Sequence, residues 1–208
     1  MNIGDIMKTL IYNWKDTINE DELNNVIDVI EKGGVVVFPT DTVYGVATNS
    51  LDETAIKKLF ELKGRNDNKP ICVLTSNVDK IKKIAYENEE EQKIIDKYMP
   101  GALTIILNKK NNVSNVLTSN LDTVGVRIPN NEIALRILSK LDYPLATTSA
   151  NISGMEAAVK IDDIIQVFDN KVDIIVDGGI TDLKISSTIV KIENNEIKVL
   201  REGTIKID

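Results

Sequence analysis

The sequence predicts an α/β domain whose sheet is not purely parallel. Apolar runs rich in β-branched residues alternate with stretches of helical period, as in Val35-Val36-Val37 after the stripe Leu23, Val26, Ile27, Ile30. The chain also closes on two apolar runs, Thr188–Ile192 and Ile197–Leu200, flanking Asn194-Asn195 as a hairpin. With 208 residues, 42% hydrophobic and 27% charged, the chain has material for a substantial core. No repeat, linker-like shift or low-complexity tract divides it, so one domain over 1–208 is expected.

The elements follow from local chemistry. The first helical stripe stops at Gly33-Gly34, before a strand over Val35–Phe38. Asp52 is placed to cap a second helix that carries Ile56, Leu59 and Phe60 and ends near Gly64, so Lys63 and Arg65 flank a helix C-terminus. Pro70 closes that loop before a strand over Ile71–Leu74. From Asn77 to Tyr98 the chain is charged and helical, and Glu89-Glu90-Glu91 suits a solvated helix N-terminus better than a metal site. After Pro100-Gly101 come strands over Leu103–Leu107 and Val124–Ile128, separated by an Asn-rich loop. A helix around Ile133–Leu141 precedes a strand that runs into Thr147-Thr148-Ser149. Ile174-Ile175-Val176 then leads into the turn Asp177-Gly178-Gly179.

Composition excludes several kinds of function. No apolar run approaches the roughly 20 residues that span a bilayer, and the N-terminus lacks a signal-peptide layout, so a cytoplasmic protein without a membrane role is expected. A single cysteine excludes an internal disulfide, and the absence of histidine removes the usual zinc and Cys-His catalytic arrangements. Cys72, within Ile71-Cys72-Val73-Leu74, reads as a small buried strand residue. The net charge of -7 and a pI near 4.8 argue against broad electrostatic capture of nucleic acid but allow a local basic pocket. Neither the P-loop nor the dinucleotide-binding glycine pattern occurs.

Three short motifs remain: Lys63-Gly64-Arg65, Ser149-Ala150-Asn151, and Phe38 to Gly45, which reads Phe-Pro-Thr-Asp-Thr-Val-Tyr-Gly. Each alone also fits a backbone role, as a helix C-cap, a turn or cap, and an Asx turn. Together they place two cations and several short polar side chains on turns, which suits an anionic, nucleotide-like ligand.

Their order resembles the YrdC-like family of threonylcarbamoyl-AMP synthases, over a stretch from about Leu23 to Thr204. Further matching segments are Lys69-Pro70-Ile71, Pro100 to Thr104, Asp122 to Pro129, Asp177-Gly178-Gly179, Ser187 to Val190, and Leu200 to Gly203. The resemblance implies a twisted, mixed parallel and antiparallel sheet with flanking helices, whose concave face holds ATP and L-threonine. It implies a reaction of L-threonine, bicarbonate and ATP that gives threonylcarbamoyl-AMP and pyrophosphate, with Mg²⁺ carried on the nucleotide. The product would pass to downstream threonylcarbamoyl-transferase proteins for modification of tRNA.

Carried over position by position, the resemblance puts Lys63, Arg65, Ser149 and Asn151 in catalysis, Thr40, Tyr44 and Ser187 around threonine, and Thr104, Arg127, Ala150 and Arg201 around the nucleotide. No protein metal ligand is implied. Two departures stand out: Asn66 where the family has proline after Lys-x-Arg, and Leu74 where many members place histidine, with Thr75 as a neighbouring polar group. The resemblance is to the short form of the family, for which the loops Gly64–Pro70 and Asn108–Asn120 are the expected lids, the second too polar for the core. Two other readings stay open: an RNA-binding module, and a relative that binds nucleotide or a carbamoyl adenylate without synthase chemistry.

Overall fold

A computed structural model describes residues 8–64, 69–152 and 154–207. Among them, strands and helices run in the order β1 (Leu10–Asn13), α1 (Glu20–Glu31), β2 (Val36–Phe38), β3 (Gly45–Asn49), α2 (Glu53–Leu62), β4 (Cys72–Leu74), α3 (Val78–Ile84), β5 (Ala85–Tyr86) and α4 (Glu89–Tyr98). They continue with β6 (Leu103–Lys109), β7 (Thr123–Arg127), α5 (Glu132–Ser139), β8 (Leu145–Ser149), α6 (Ile161–Phe168), β9 (Ile174–Asp177), β10 (Thr188–Glu193) and β11 (Glu196–Arg201). The asparagine-rich composition has a local use. Side chains of Asn19, Asp52, Asn77, Asn88 and Asn131 accept backbone N–H bonds at the starts of α1 to α5, and Asn88 forms a reciprocal box with Glu91.

All strands join one mixed sheet in the order β1-β9-β2-β3-β8-β4-β7-β6-β10-β11, with β5 paired to β6. Pairings such as β2 with β9 and β4 with β7 are parallel, whereas β3 with β8, β6 with β7 and β10 with β11 are antiparallel. The mixed sheet and the closing hairpin agree with expectation. Strands β1 and β3 and helix α6 were not expected. β1 is mostly exposed and carries no alternation, being held by its parallel register against β9. β3 begins at the glycine of the Pro-Thr-Asp-Thr-Val-Tyr-Gly motif, which reads as turn chemistry throughout. The Asn77–Tyr98 stretch is two helices separated by β5, where Ala85 and Tyr86 pair with Lys109 and Asn108.

Strand side chains alternate between faces, and two cores result. On one face, Val37, Val46, Val73, Ile105 and Ile175 pack with apolar residues of α2, α3, α4 and α6. On the other, Val36, Phe38, Ala47, Leu74, Leu145 and Ile174 pack with Leu23, Val26 and Ile30 of α1 and Ile133, Ile137 and Leu138 of α5. This second cluster takes nothing from β7, β6 or β10. Among the described residues, the far half of that face therefore has no helix packed over it, and its inward residues are left to line a concavity.

The segment after β6 corrects one expectation. Val113, Leu117 and Thr118 are buried, Leu117 O accepts from Ile71 N at 3.0 Å, and Ser114 Oγ donates to Glu53 of α2 at 2.7 Å. Its few apolar residues fasten it to the core, so it is a packed buttress of α2 rather than a lid. Among the described residues, no helix is long and apolar enough to cross a membrane.

Candidate active site

The uncovered half-sheet forms the floor of a concave site of about 390 Å³. Register fixes which residues face it. Ser149 pairs with Gly45, Thr147 with Cys72, and Ile189 with Thr104, and all six line the concavity, as do Leu74, Ile106 and Arg127. Ile106 and Ile189 are only partly buried, so the floor presents apolar surface between polar rims. Gly125 belongs to the same surface. A Cβ there would fall 2.6 Å from Cys72 Sγ and 3.2 Å from Ile106 Cδ1, so only glycine keeps the floor flat at this point.

Cys72 departs from its expected place, because it is half-buried and faces the site instead of the core. The strand run Ile71-Cys72-Val73-Leu74 is apolar on both faces, and sequence alone does not tell which face a helix covers. Leu74, at the position where histidine was expected from the resemblance, is buried and shared between the site and the α1/α5 core. Thr75 Oγ is buried without a hydrogen-bond partner among the described residues. Thr75 does not take the histidine's place among the lining residues.

Lys63 is the C-cap residue of α2 and is only 2% exposed, not a loop side chain standing in solvent. Its Nζ donates to Asn151 Oδ1 at 2.7 Å and to the Ser149 carbonyl. Ser149 Oγ donates to the same Asn151 Oδ1 at 2.7 Å, while Asn151 Nδ2 donates to Met155 O at 2.6 Å. The amide is thus oriented by its neighbours, and an ammonium and a hydroxyl converge at one rim. Ala150 is buried and contributes backbone, its N–H reaching Tyr44 O at 2.7 Å. Arg65 lies outside the described residues.

The second rim is the turn after β2. Thr40 Oγ donates to Val43 O at 2.7 Å and accepts from Thr42 N at 3.2 Å. Tyr44 is fully buried; its hydroxyl donates to Gly179 O at 2.7 Å and accepts from Gly178 N at 3.3 Å. Burial, reinforced by the nearby Asp177 carboxylate, pushes the phenol far above its ordinary value, so Tyr44 stays neutral and holds the 178–179 turn. Leu183 N donates to Asp41 O at 3.0 Å, fastening the following loop to the same turn.

Opposite these, Thr104 and Ser187 share a 2.9 Å hydroxyl contact. Arg201 Nε and Nη2 donate to Ser187 O at 3.1 and 2.7 Å, and Nη2 also reaches Ser187 Oγ at 3.1 Å. Partial burial lowers the Arg201 pKa from its ordinary value. Arg127 is nearly enclosed. Its guanidinium meets Asp41 Oδ1 at 2.5 Å, Thr42 Oγ at 2.8 Å and Gly101 O at 2.9 Å, and burial pulls its pKa down against the pull of Asp41. Thr40, Tyr44, Ser149, Ser187, Thr104, Arg127 and Arg201 therefore all border one concavity, and Lys63, Ala150 and Asn151 stand directly behind the Ser149 rim. Sequence reasoning missed Asp41, Thr42, Thr147 and Ile106 as site residues. The register of the sheet brings in Thr147 and Ile106, and the bonds to Arg127 bring in Asp41 and Thr42.

Residues 28–203 match the family model Sua5–YciO–YrdC, whose description is telomere recombination. The chain belongs to the Sua5–YciO–YrdC family. A family member from Methanocaldococcus jannaschii, provisionally named as a threonylcarbamoyl-AMP synthase, is 41% identical over 91% of both chains. The threonylcarbamoyl-AMP synthase of Bacillus subtilis is 32% identical over 90% of this chain and 55% of its own. Among solved structures, Pyrococcus abyssi Sua5 complexed with L-threonine superposes with a TM-score of 0.90 at 36% identity, over 94% of this chain and 58% of that one. This chain thus spans little more than half of that Sua5. Escherichia coli YciO shares the fold at a TM-score of 0.85 and 23% identity, over 94% and 96% of the two chains.

Proposed function

We propose that this chain is an L-threonylcarbamoyladenylate synthase, a nucleotidyltransferase that joins L-threonine, bicarbonate and ATP into threonylcarbamoyl-AMP and pyrophosphate. The carrying observation is the convergence of Lys63 and Ser149 on Asn151 at one rim, with Thr40 and Tyr44 beside it and Arg201 and Ser187 opposite, around an apolar floor. Relatives that carry the synthase name, and one solved with L-threonine, support the reading.

The chemistry needs no protein nucleophile. The threonine amine forms the C–N bond to carbon: with CO₂ one C=O π bond opens and the amine releases a proton, and with bicarbonate a C–O bond breaks and hydroxide leaves with that proton as water. A carbamate oxygen then attacks the α-phosphorus, and the α–β bridging bond breaks to release pyrophosphate. Several anionic oxygens crowd together in that step, so positioning and charge neutralisation carry the rate. Lys63 supplies a cation beside Ser149, whose hydroxyl donates to the α-phosphate on turning from Asn151. Arg201 faces the anionic part of the nucleotide, and Ile106 and Ile189 offer apolar surface to the base. Among the described residues no three carboxylates or thiols gather as metal ligands. Mg²⁺ enters this reading as an ion brought by the triphosphate, where it offsets charge on the leaving pyrophosphate.

The test is pyrophosphate release from ATP in bicarbonate buffer with each of the twenty amino acids. Turnover should require L-threonine and bicarbonate together. Threonine-independent release, or none, overturns the assignment. The product would serve threonylcarbamoyladenosine modification of tRNA through downstream transferases.

A further inference from the structure

Asp177 is a buried carboxylate that stands outside the concavity and that the chemistry above leaves unused. Its Oδ1 accepts from Gly179 N at 2.9 Å, and its Oδ2 meets Lys15 Nζ at 2.7 Å. A bond from an aspartate to the amide two residues on is ordinary turn chemistry. What sets this turn apart is where it leads. Gly179 O accepts from the Tyr44 hydroxyl at 2.7 Å, and Gly178 N donates to the same hydroxyl at 3.3 Å. Gly178 also lies flush against the start of the Pro-Thr-Asp-Thr turn, since a Cβ there would fall 2.6 Å from Pro39 Cγ and 2.5 Å from Ile133 Cδ1. The 178–179 turn is thus wedged between α5 and the residue before Thr40. From the outer side β1 holds its base, where Asn13 pairs with Asp177 and Trp14 N donates to Asp177 O at 2.8 Å. Tyr44 lines the concavity, whereas Asp177, Gly178 and Gly179 do not.

We propose that Asp177 is a positioning residue for the threonine rim: by holding the Gly179 amide it fixes the turn that fastens the Tyr44 hydroxyl and backs Pro39, and it touches no ligand itself. Threonine as the occupant of that rim rests on the synthase reading. The bond to Gly179 carries the effect, not the ion pair. Lys15 is 45% exposed, and pairs that open to solvent contribute little.

The experiment measures KM for L-threonine and for ATP in Asp177→Ala, Asp177→Asn, Lys15→Met, Tyr44→Phe and the Asp177→Ala/Tyr44→Phe double variant, with backbone hydrogen exchange of each ligand-free protein. Asp177→Ala leaves Gly179 N unpaired and should raise the threonine KM roughly tenfold, with the ATP KM within about twofold of wild type. Asp177→Asn keeps an oxygen for that amide and Lys15→Met keeps the carboxylate, so both should stay within about threefold of wild type for either substrate. In the double variant, Asp177→Ala should add less than about twofold to the threonine KM of Tyr44→Phe, because both act through one turn. Exchange of the Gly178 and Gly179 amides should accelerate in Asp177→Ala and not in Asp177→Asn. If Asp177→Ala does not fold, Asp177→Ser, which accepts more weakly from that amide, takes its place and should show a smaller split in the same direction. Equal rises in the two KM values mark a merely structural role and overturn the proposal. So does an Asp177→Asn as impaired as Asp177→Ala, or full additivity with Tyr44→Phe. A wild type without threonine-dependent turnover sinks the synthase reading, and the exchange comparison then decides by itself whether Asp177 holds the turn.

Discussion

Replacing Lys63 by methionine separates its electrostatic work from its packing. The thioether chain approximates the aliphatic stem, so the change removes the ammonium and its bonds to Ser149 O and Asn151 Oδ1. Neither acceptor is orphaned: Ser149 O keeps the Asn151 N–H at 3.0 Å, and Asn151 Oδ1 keeps the Ser149 hydroxyl at 2.7 Å. The stability loss should therefore sit at the low end for such bonds, about 1 kcal/mol, and removing a buried charge offsets part of it. Loss of a preorganised cation at the developing charge should cut turnover on the order of a hundredfold, equivalent to about 2.7 kcal/mol of barrier. The two effects separate by measuring the urea midpoint and threonine-dependent pyrophosphate release on the same preparation. Near-normal turnover per folded molecule removes Lys63 from catalysis. A stability loss above roughly 3 kcal/mol shows instead that its role is structural, as an uncompensated buried group would be.

Tyr44→Phe leaves Gly179 O without its donor and should destabilise the fold by about 1 to 3 kcal/mol, read from chemical unfolding. Because folding raises the Tyr44 pKa, the native state holds a proton that the unfolded chain releases above its ordinary value near 10, so stability should fall as pH rises past that point. Tyr143, pushed up to about 12 by burial, adds to the fall and buried Lys80 opposes it, so the difference between wild type and Tyr44→Phe isolates Tyr44; an unchanged alkaline slope refutes its assignment. Thr40→Val should raise the KM for threonine more than that for ATP, since it deletes the hydroxyl bonded to Val43 O; equal rises place Thr40 away from threonine. Gly125→Ala should cost about 1 to 3 kcal/mol through overpacking against Cys72, and adding Cys72→Ala should recover part of it in thermal unfolding, a result that fails if the floor is not packed at that point.

The capped helix α2 was among the most legible parts of the chain, because Asp52 ahead of Ile56, Leu59 and Phe60 is a local signal that acts within one turn, whereas α6, which starts without a side-chain cap, was not read. Core strands such as the one expected over Leu103–Leu107 were legible for a similar reason, being apolar but for Thr104. β1 was not, since it owes its conformation to a neighbour 164 positions away, as in Leu10 opposite Ile174. The polar motifs pointed to Lys63, Ser149 and Asn151 and to an anionic ligand, yet nothing local distinguishes Cys72, which faces the site, from Val73, which faces the core. Which of two alternating faces lies bare depends on where α1 and α5 end up. Asp41 was hidden for another reason: in a Thr-Asp-Thr turn an aspartate that bonds its own backbone looks the same as one paired with a distant arginine.

Along β6, successive residues answer to different demands. Leu103, Ile105 and Leu107 hold the helix-covered core, while Thr104 and Ile106 between them touch only the open face. The same split runs through β10, where Val190 is core and Ile189 is floor. Partly exposed floor positions such as Ile106 and Ile189 can thus change for a new ligand at less cost to stability than the core positions between them, which keep the fold. A sheet half-roofed by helices separates inheritance of shape from invention of chemistry, residue by residue.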